Sequence, residues 1–184
     1  MFNLISLDGF FAGKDGNIDW HNVDEEFNEF AVEQTKSFGA IIFGKTTYQL
    51  FESFWPKAAT DPAMSPEDRE IGHAIDTVDK IVYSTSLERV TWQNTQLYHE
   101  INPDEVQKLK ERPGGDMVIF GSGTIVQKMT ELGLIDEYRF LVNPVVLGEG
   151  KSLFGPLEKT LKLELLNSKT FDNGNVLLTY KPTK

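Results

Sequence analysis

Residues 114–154, GGDMVIFGSGTIVQKMTELGLIDEYRFLVNPVVLGEGKSLF, decide how the rest of this chain is read. Gly114-Gly115 makes a turn, Met117 to Phe120 is a short apolar strand, and the pattern breaks at Gly121-Ser122-Gly123, where helical spacing begins. A strand, a glycine turn and a helix N-terminus leave unpaired backbone N–H groups facing outward, with the positive end of the helix dipole behind them. Such a junction suits a phosphate or another anion. Ile125, Val126, Met129 and Leu132 then share one helical face and Gly133 closes the helix. Glu137 to Val142 is a second strand, stopped by Asn143-Pro144, and Leu147 to Gly150 predicts a flexible loop before Phe154.

Working outward, Leu161 to Ser168 and Val176 to Tyr180 read as strands joined through Asp172-Asn173-Gly174-Asn175. Asn-Gly is a strong hairpin signal, so the two pair antiparallel. Upstream, Phe2 to Ser6, Ala40 to Phe43, Lys80 to Ser84 and Thr95 to His99 are further strands. Between them lie helices begun by Asp24, by Lys45, by Ser65-Pro66-Glu67-Asp68 and by Asn102-Pro103, each with a recognisable cap or first turn. Trp55 to Met64 holds two prolines and predicts a surface loop. Tyr48, Phe51 and Phe54 are read as core. Strands separated by helices, followed by a terminal hairpin, give a three-layer α/β domain with a mixed sheet. No repeat, linker or low-complexity tract divides residues 1–184, which are read as one domain.

Four segments together resemble the dihydrofolate-reductase-like family, and in particular the reductase domain of riboflavin biosynthesis. They are Ser6-Leu-Asp-Gly9, Gly44-Lys-Thr-Thr-Tyr48, Gly121-Ser-Gly-Thr124, and Leu134-Ile-Asp-Glu-Tyr138 leading to Asn143-Pro-Val-Val-Leu-Gly-Glu-Gly150. The resemblance covers nearly the whole chain. It implies the dihydrofolate-reductase fold, a mixed, mostly parallel sheet with a C-terminal antiparallel hairpin, and it implies NADPH as cofactor. It also implies a homodimer, through the strand Glu137 to Val142 and the loop after it. The deaminase domain that often precedes this reductase is absent, since neither His-x-Glu nor Cys-x-x-Cys occurs.

Open α/β sheets bind ligands beyond the C-terminal ends of their strands. Three such ends carry glycine or hydroxyl residues: Gly44 to Thr47, Ser84 to Ser86, and Gly121 to Thr124. The resemblance implies that the first and third hold a pyrophosphate and that the second lies near the adenosine ribose and its 2′-phosphate. Lys45 and Arg89 are the cations available, and Thr46, Thr47, Ser84 and Ser86 are neutral donors, with Gly121, Ser122, Gly123 and Thr124 at the third end. Ordinary helix caps and a solvated Lys45 are the plain alternative. The chain departs from the family in having Lys45 where Arg is more usual, and Lys cannot form the bidentate fork. Val126 also breaks the GxGxxG pattern of a conventional dinucleotide-binding turn.

Reduction needs a hydride donor beside an electrophilic carbon and an acid for the product. Asp8, in the segment resembling the family's nicotinamide and substrate edge, is read as orienting substrate or relaying a proton; forming the turn before Gly9 is the alternative. Glu26 is nearest in spacing to the carboxylate used in folate reduction, yet the loop Trp20-His21-Asn22-Val23 lacks Trp-x-x-Pro, which argues against folate. The reading is an NADPH-dependent reductase of a small carbonyl or imine-type, ribosylated or heterocyclic substrate, best labelled as like 5-amino-6-(5-phosphoribosylamino)uracil reductase. Dihydrofolate reductase proper and a non-catalytic nucleotide-binding module are the competing readings.

Composition excludes other classes. The chain has no cysteine, so disulfides, thiol catalysis and thiolate metal sites are out. His21, His73 and His99 share no ligand spacing, so no metal is expected. A net charge of -10 argues against nucleic acid, which is bound through Lys and Arg clusters. No run approaches the ~18 apolar residues of a membrane span, and no signal peptide is read, so a cytoplasmic location is expected.

Overall fold

The computed structural model describes residues 1–183. In chain order the elements are β1 (Phe2–Ser6), β2 (Phe10–Ala12), α1 (Glu25–Thr35), β3 (Phe38–Gly44), α2 (Lys45–Ala58), α3 (Pro66–Thr77), β4 (Asp79–Tyr83) and β5 (Thr95–Tyr98). They continue with α4 (Pro103–Lys110), β6 (Asp116–Ile119), α5 (Gly123–Glu131), β7 (Tyr138–Asn143), β8 (Lys151–Ser152), β9 (Leu163–Thr170) and β10 (Val176–Pro182). The chain forms two compact units: Glu25–Ser122 is one, and Met1–Asp24 with the segment from Gly123 onward is the other.

The unit Glu25–Ser122 holds an all-parallel sheet in the order β5-β4-β3-β6. Parallel strands need long crossovers; α2 with α3 connects β3 to its neighbour β4, and α4 connects β5 to β6 at the opposite edge of the sheet. Ile41, Phe43 and Val82 are fully buried, as befits near-continuous apolar strands covered on both faces. Ser65 Oγ accepts from Asp68 N at 3.0 Å, and Asn102 Oδ1 accepts from Asp104 N at 2.9 Å, so the predicted caps start α3 and α4.

Two expectations fail in this unit. Residues 55–58 are not loop: α2 runs on to Ala58 with Pro56 inside it. Ala58 and Ala59 are buried, and Gly72 of α3 lies so close that a Cβ there would be 2.8 Å from Ala59 N. That helix-on-helix seating outweighs the hydrogen bond lost at one proline near a helix end. Tyr48 and Phe51 pack against Phe43 as expected, but Phe54 is 42% exposed. Six residues separate it from Tyr48, about 1.7 turns, which carries it off the buried stripe.

β4 also contains a buried cation. Lys80 has no exposed surface; its Nζ donates to the carbonyls of Ile75 (3.0 Å), Asp76 (2.9 Å) and Val78 (2.8 Å) and lies 4.5 Å from the Trp92 ring centroid. It closes the C-terminal end of α3, where carbonyls lack helical partners and the dipole is negative. Burial draws the ammonium down to about 8, against the pull of Asp76 and Asp79.

The other unit holds a mixed sheet in the order β1-β7-β10-β9. β1 and β7 are parallel, and the predicted hairpin of β9 and β10 is antiparallel, with β10 also antiparallel to β7. A two-stranded ribbon of β2 and β8 was not foreseen; strands this short show no readable alternation. β7 lies inside the sheet with Tyr138, Phe140 and Leu141 buried and Arg139 and Val142 half-buried. β1 and β9 are the edge strands, and β9 is exposed along nearly its whole length.

Candidate functional site

In the parallel sheet, Gly44, Ser84 and Gly121 follow adjacent strands running in one direction, so they leave along the same edge. Gly44 ends β3 and precedes α2 with no side-chain cap on the helix, which leaves the first-turn N–H groups of α2 without a side-chain acceptor. Lys45 Nζ donates to Ser86 Oγ at 3.2 Å, so the first and second predicted segments meet. Ser84 Oγ accepts from Ser86 N (3.2 Å) and Leu87 N (3.1 Å), folding residues 84–87 into a tight turn. Thr46 and Arg89 are exposed and Thr47 is half-buried.

His99, which sequence reasoning weighed only as a metal ligand, belongs to this cluster. Its Nδ1 lies 2.9 Å from Ser84 O; a carbonyl only accepts, so Nδ1 carries the proton there. The usable signal was position: His99 follows β5, the neighbour of β4.

At the third junction Gly121 has φ +82°, a left-handed conformation natural to glycine, and the Gly121–Ser122 peptide is cis. Gly123 opens α5 in the other unit, and there the requirement is packing: a Cβ would sit 2.9 Å from Phe11 Cε1. Thr124 is exposed in the first turn of α5.

The two catalytic candidates lie in different units: Asp8 follows β1, and Glu26 is half-buried in the first turn of α1. Asp8 is held on both carboxylate oxygens. Ser6 Oγ donates to Oδ1 at 2.6 Å, Leu147 N to Oδ1 at 3.2 Å and Gly148 N to Oδ2 at 2.8 Å. The Ser6 hydroxyl, with the Gly148 and Leu147 amides, holds the carboxyl below its ordinary value, because donors favour the anion. The loop after β7 is thereby tied to the turn after β1, joined also by Leu7 N donating to Val145 O at 2.8 Å.

Beside this lies an asparagine clamp that the sequence reading missed. Ser6, Asn143 and Asn175, at the ends of β1, β7 and just before β10, have no exposed surface. Asn143 Oδ1 accepts from Asn22 N (2.8 Å), Asn22 Nδ2 donates to Asn173 O (2.8 Å), and Asn175 Nδ2 donates to Asn22 O (2.6 Å). The loop between β2 and α1 is pinned across the strand ends. Next to Asn22, His21 buries Nε2 with no hydrogen-bond partner, and that burial draws its imidazole down to about 4.

Glycine turns at the ends of parallel strands, one before an uncapped helix, together with a mixed sheet closed by a C-terminal hairpin, define a dihydrofolate-reductase-like α/β fold. The chain belongs to the RibD C-terminal domain family, whose model matches residues 1–177, and is a reductase-like domain of that family. It is 32% identical over 178 residues to the uncharacterized protein YyaP of Bacillus subtilis, covering 96% of this chain and 90% of that one. A putative riboflavin biosynthesis protein from a Shewanella species superposes with a TM-score of 0.74 at 24% identity, covering 100% of this chain and 97% of the other. A dihydrofolate reductase from Enterococcus faecalis, complexed with NADP(H), gives 0.64 at 15% identity, over 100% and 95%. At such identities the two solved structures speak for the fold alone. Among the described residues, no helix is long and apolar enough to cross a membrane.

Proposed function

We propose that this protein is an NADPH-dependent oxidoreductase acting on a small carbonyl or imine-type substrate. Its best label is 5-amino-6-(5-phosphoribosylamino)uracil reductase-like, in riboflavin biosynthesis or as a paralogue with a related substrate. The observation that carries this reading is the Lys45–Ser86 contact at the uncapped N-terminus of α2. Backbone donors, a hydroxyl and an ammonium converge there, which is the donor set a phosphate ester takes. The chemistry of the residues fits NADPH, which supplies a hydride when bound.

In this reading Gly44, Lys45, Thr46 and Thr47 hold one part of the nucleotide, and Ser84, Ser86 and Arg89 the ribose phosphate. Gly121, Ser122, Gly123 and Thr124 form the second junction. Asp8, kept ionised by its donors, orients groups as an anion, and Glu26 is the second substrate-side carboxylate.

The test is thermal denaturation with NADPH and, separately, NADH, followed by NADPH oxidation across carbonyl and imine substrates. A ligand at 100 times its Kd adds about 2.7 kcal/mol, or roughly 5 to 11 °C for a chain of this size. The rise is expected with NADPH and reduced in Lys45→Met. No shift with either nucleotide, with calorimetry showing no binding, defeats the proposal.

A further inference from the structure

We propose that His99 is a positioning residue that sets how well this protein distinguishes NADPH from NADH; the inference rests on the cofactor reading above. Ser84 has its N–H, carbonyl and hydroxyl all bonded to its surroundings. Its N–H donates to Tyr98 O at 2.9 Å, its carbonyl accepts from His99 Nδ1 at 2.9 Å, and its Oγ accepts from Ser86 N and Leu87 N at 3.2 and 3.1 Å. Ser84 therefore organises the turn. The groups that the turn presents outward are the Ser86 hydroxyl and the Lys45 ammonium bonded to it at 3.2 Å.

His99 is the one side chain in that chain of bonds that reaches the turn from β5, where it immediately follows the strand. The backbone bond from Ser84 to Tyr98 fixes where the turn begins. The imidazole fixes the plane of the peptide between residues 84 and 85, and so the direction in which Ser86 leaves. An exposed turn without this bond keeps its strand anchor but loses a defined orientation. Its effect is then selective: Lys45 and Ser86 gain most from a group with charge and several acceptor oxygens, which NADPH carries on the 2′ position and NADH does not. Misplacing a charge-assisted pair weakens binding by about 10-fold.

Calorimetric Kd values for NADPH and NADH are measured on the wild type, His99→Ala and His99→Asn. Asn places an N–H close to where Nδ1 stands, so it retains the bond to Ser84 O. The expected result is an NADPH Kd about 10-fold weaker in His99→Ala with NADH little changed, and recovery of most of the difference in His99→Asn. Melting without nucleotide checks that the variants fold. If His99→Ala binds both nucleotides like the wild type, or loses both equally, the positioning role is overturned while the cofactor reading stands. If His99→Asn behaves like His99→Ala, the hydrogen bond is not the cause and the inference also falls. A wild type that binds neither nucleotide defeats the cofactor reading itself and takes the inference with it.

Discussion

His21 should make this protein acid-sensitive between pH 6.5 and about pH 4. Its Nε2 is buried without a hydrogen-bond partner, and burial moves the imidazole from 6.5 to about 4. The sign follows from which state takes the proton first. As pH falls, the unfolded chain protonates His21 near 6.5 while the folded chain resists until about 4. Stability from this group is therefore complete above pH 6.5, is lost as pH falls through the interval, and stops changing below about 4.

At 1.36 kcal/mol per pKa unit the full gap corresponds to about 3.4 kcal/mol, and the part lost between pH 7 and pH 5 to about 1.8 kcal/mol. The ring is partly open to solvent, so about 1 kcal/mol is the figure to test, or roughly 2 to 4 °C in Tm. The assay compares melting of the wild type and His21→Leu at intervals from pH 7 to pH 4. Leu has no proton to gain, so the wild type should lose Tm relative to the variant as pH falls, most steeply between 6.5 and 5. Parallel pH profiles for the two proteins would refute the reasoning, whatever their offset at pH 7.

Two further substitutions test the packing. Lys80→Met leaves the Ile75, Asp76 and Val78 carbonyls at the end of α3 without their buried donor, and should cost roughly 3 kcal/mol in urea unfolding; an unchanged midpoint contradicts the capping role. Gly123→Ala brings a Cβ to 2.9 Å from the Phe11 ring and should destabilise by about 1 to 3 kcal/mol. Phe11→Leu in the same chain should recover part of that loss, and strict additivity of the two changes contradicts the clash.

Most of the fold was legible because its signals are local. Ser65-Pro66 and Asn102-Pro103 announce helices by capping chemistry contained in a few residues, and Asn173-Gly174 announces a hairpin by its turn. Pro56 misled because a proline's cost is local whereas its compensation, the seating of Ala59 against Gly72, comes from a helix farther along the chain. Lys80 escaped for the same reason, since a lysine in a strand gives no sign that three carbonyls await it. In the candidate site the glycine junctions could be read from sequence, but their separate duties could not. Gly44, Gly121 and Gly123 look alike in sequence; one precedes an uncapped helix, one turns through positive φ, and one makes room for Phe11.

The geometry at Asp8 also restricts how the proposed reduction is completed. Hydride addition to a carbonyl or imine leaves an atom that must take a proton. A carboxylate serves as that acid only if it holds a proton at working pH, which requires a raised pKa, as burial or a neighbouring anion provides. Asp8 has the opposite setting: it lies in solvent and accepts from the Ser6 hydroxyl and from two backbone amides, all of which favour the anion. Protonating it would also disturb the bonds that hold the loop after β7 to the turn after β1. His21 is equally unsuited in the folded state, because its buried ring resists the charge that a proton carrier must accept in each turnover. Neither Asp8 nor His21 is therefore set to act as the acid, and in the proposed reductase the proton comes from solvent or from another group.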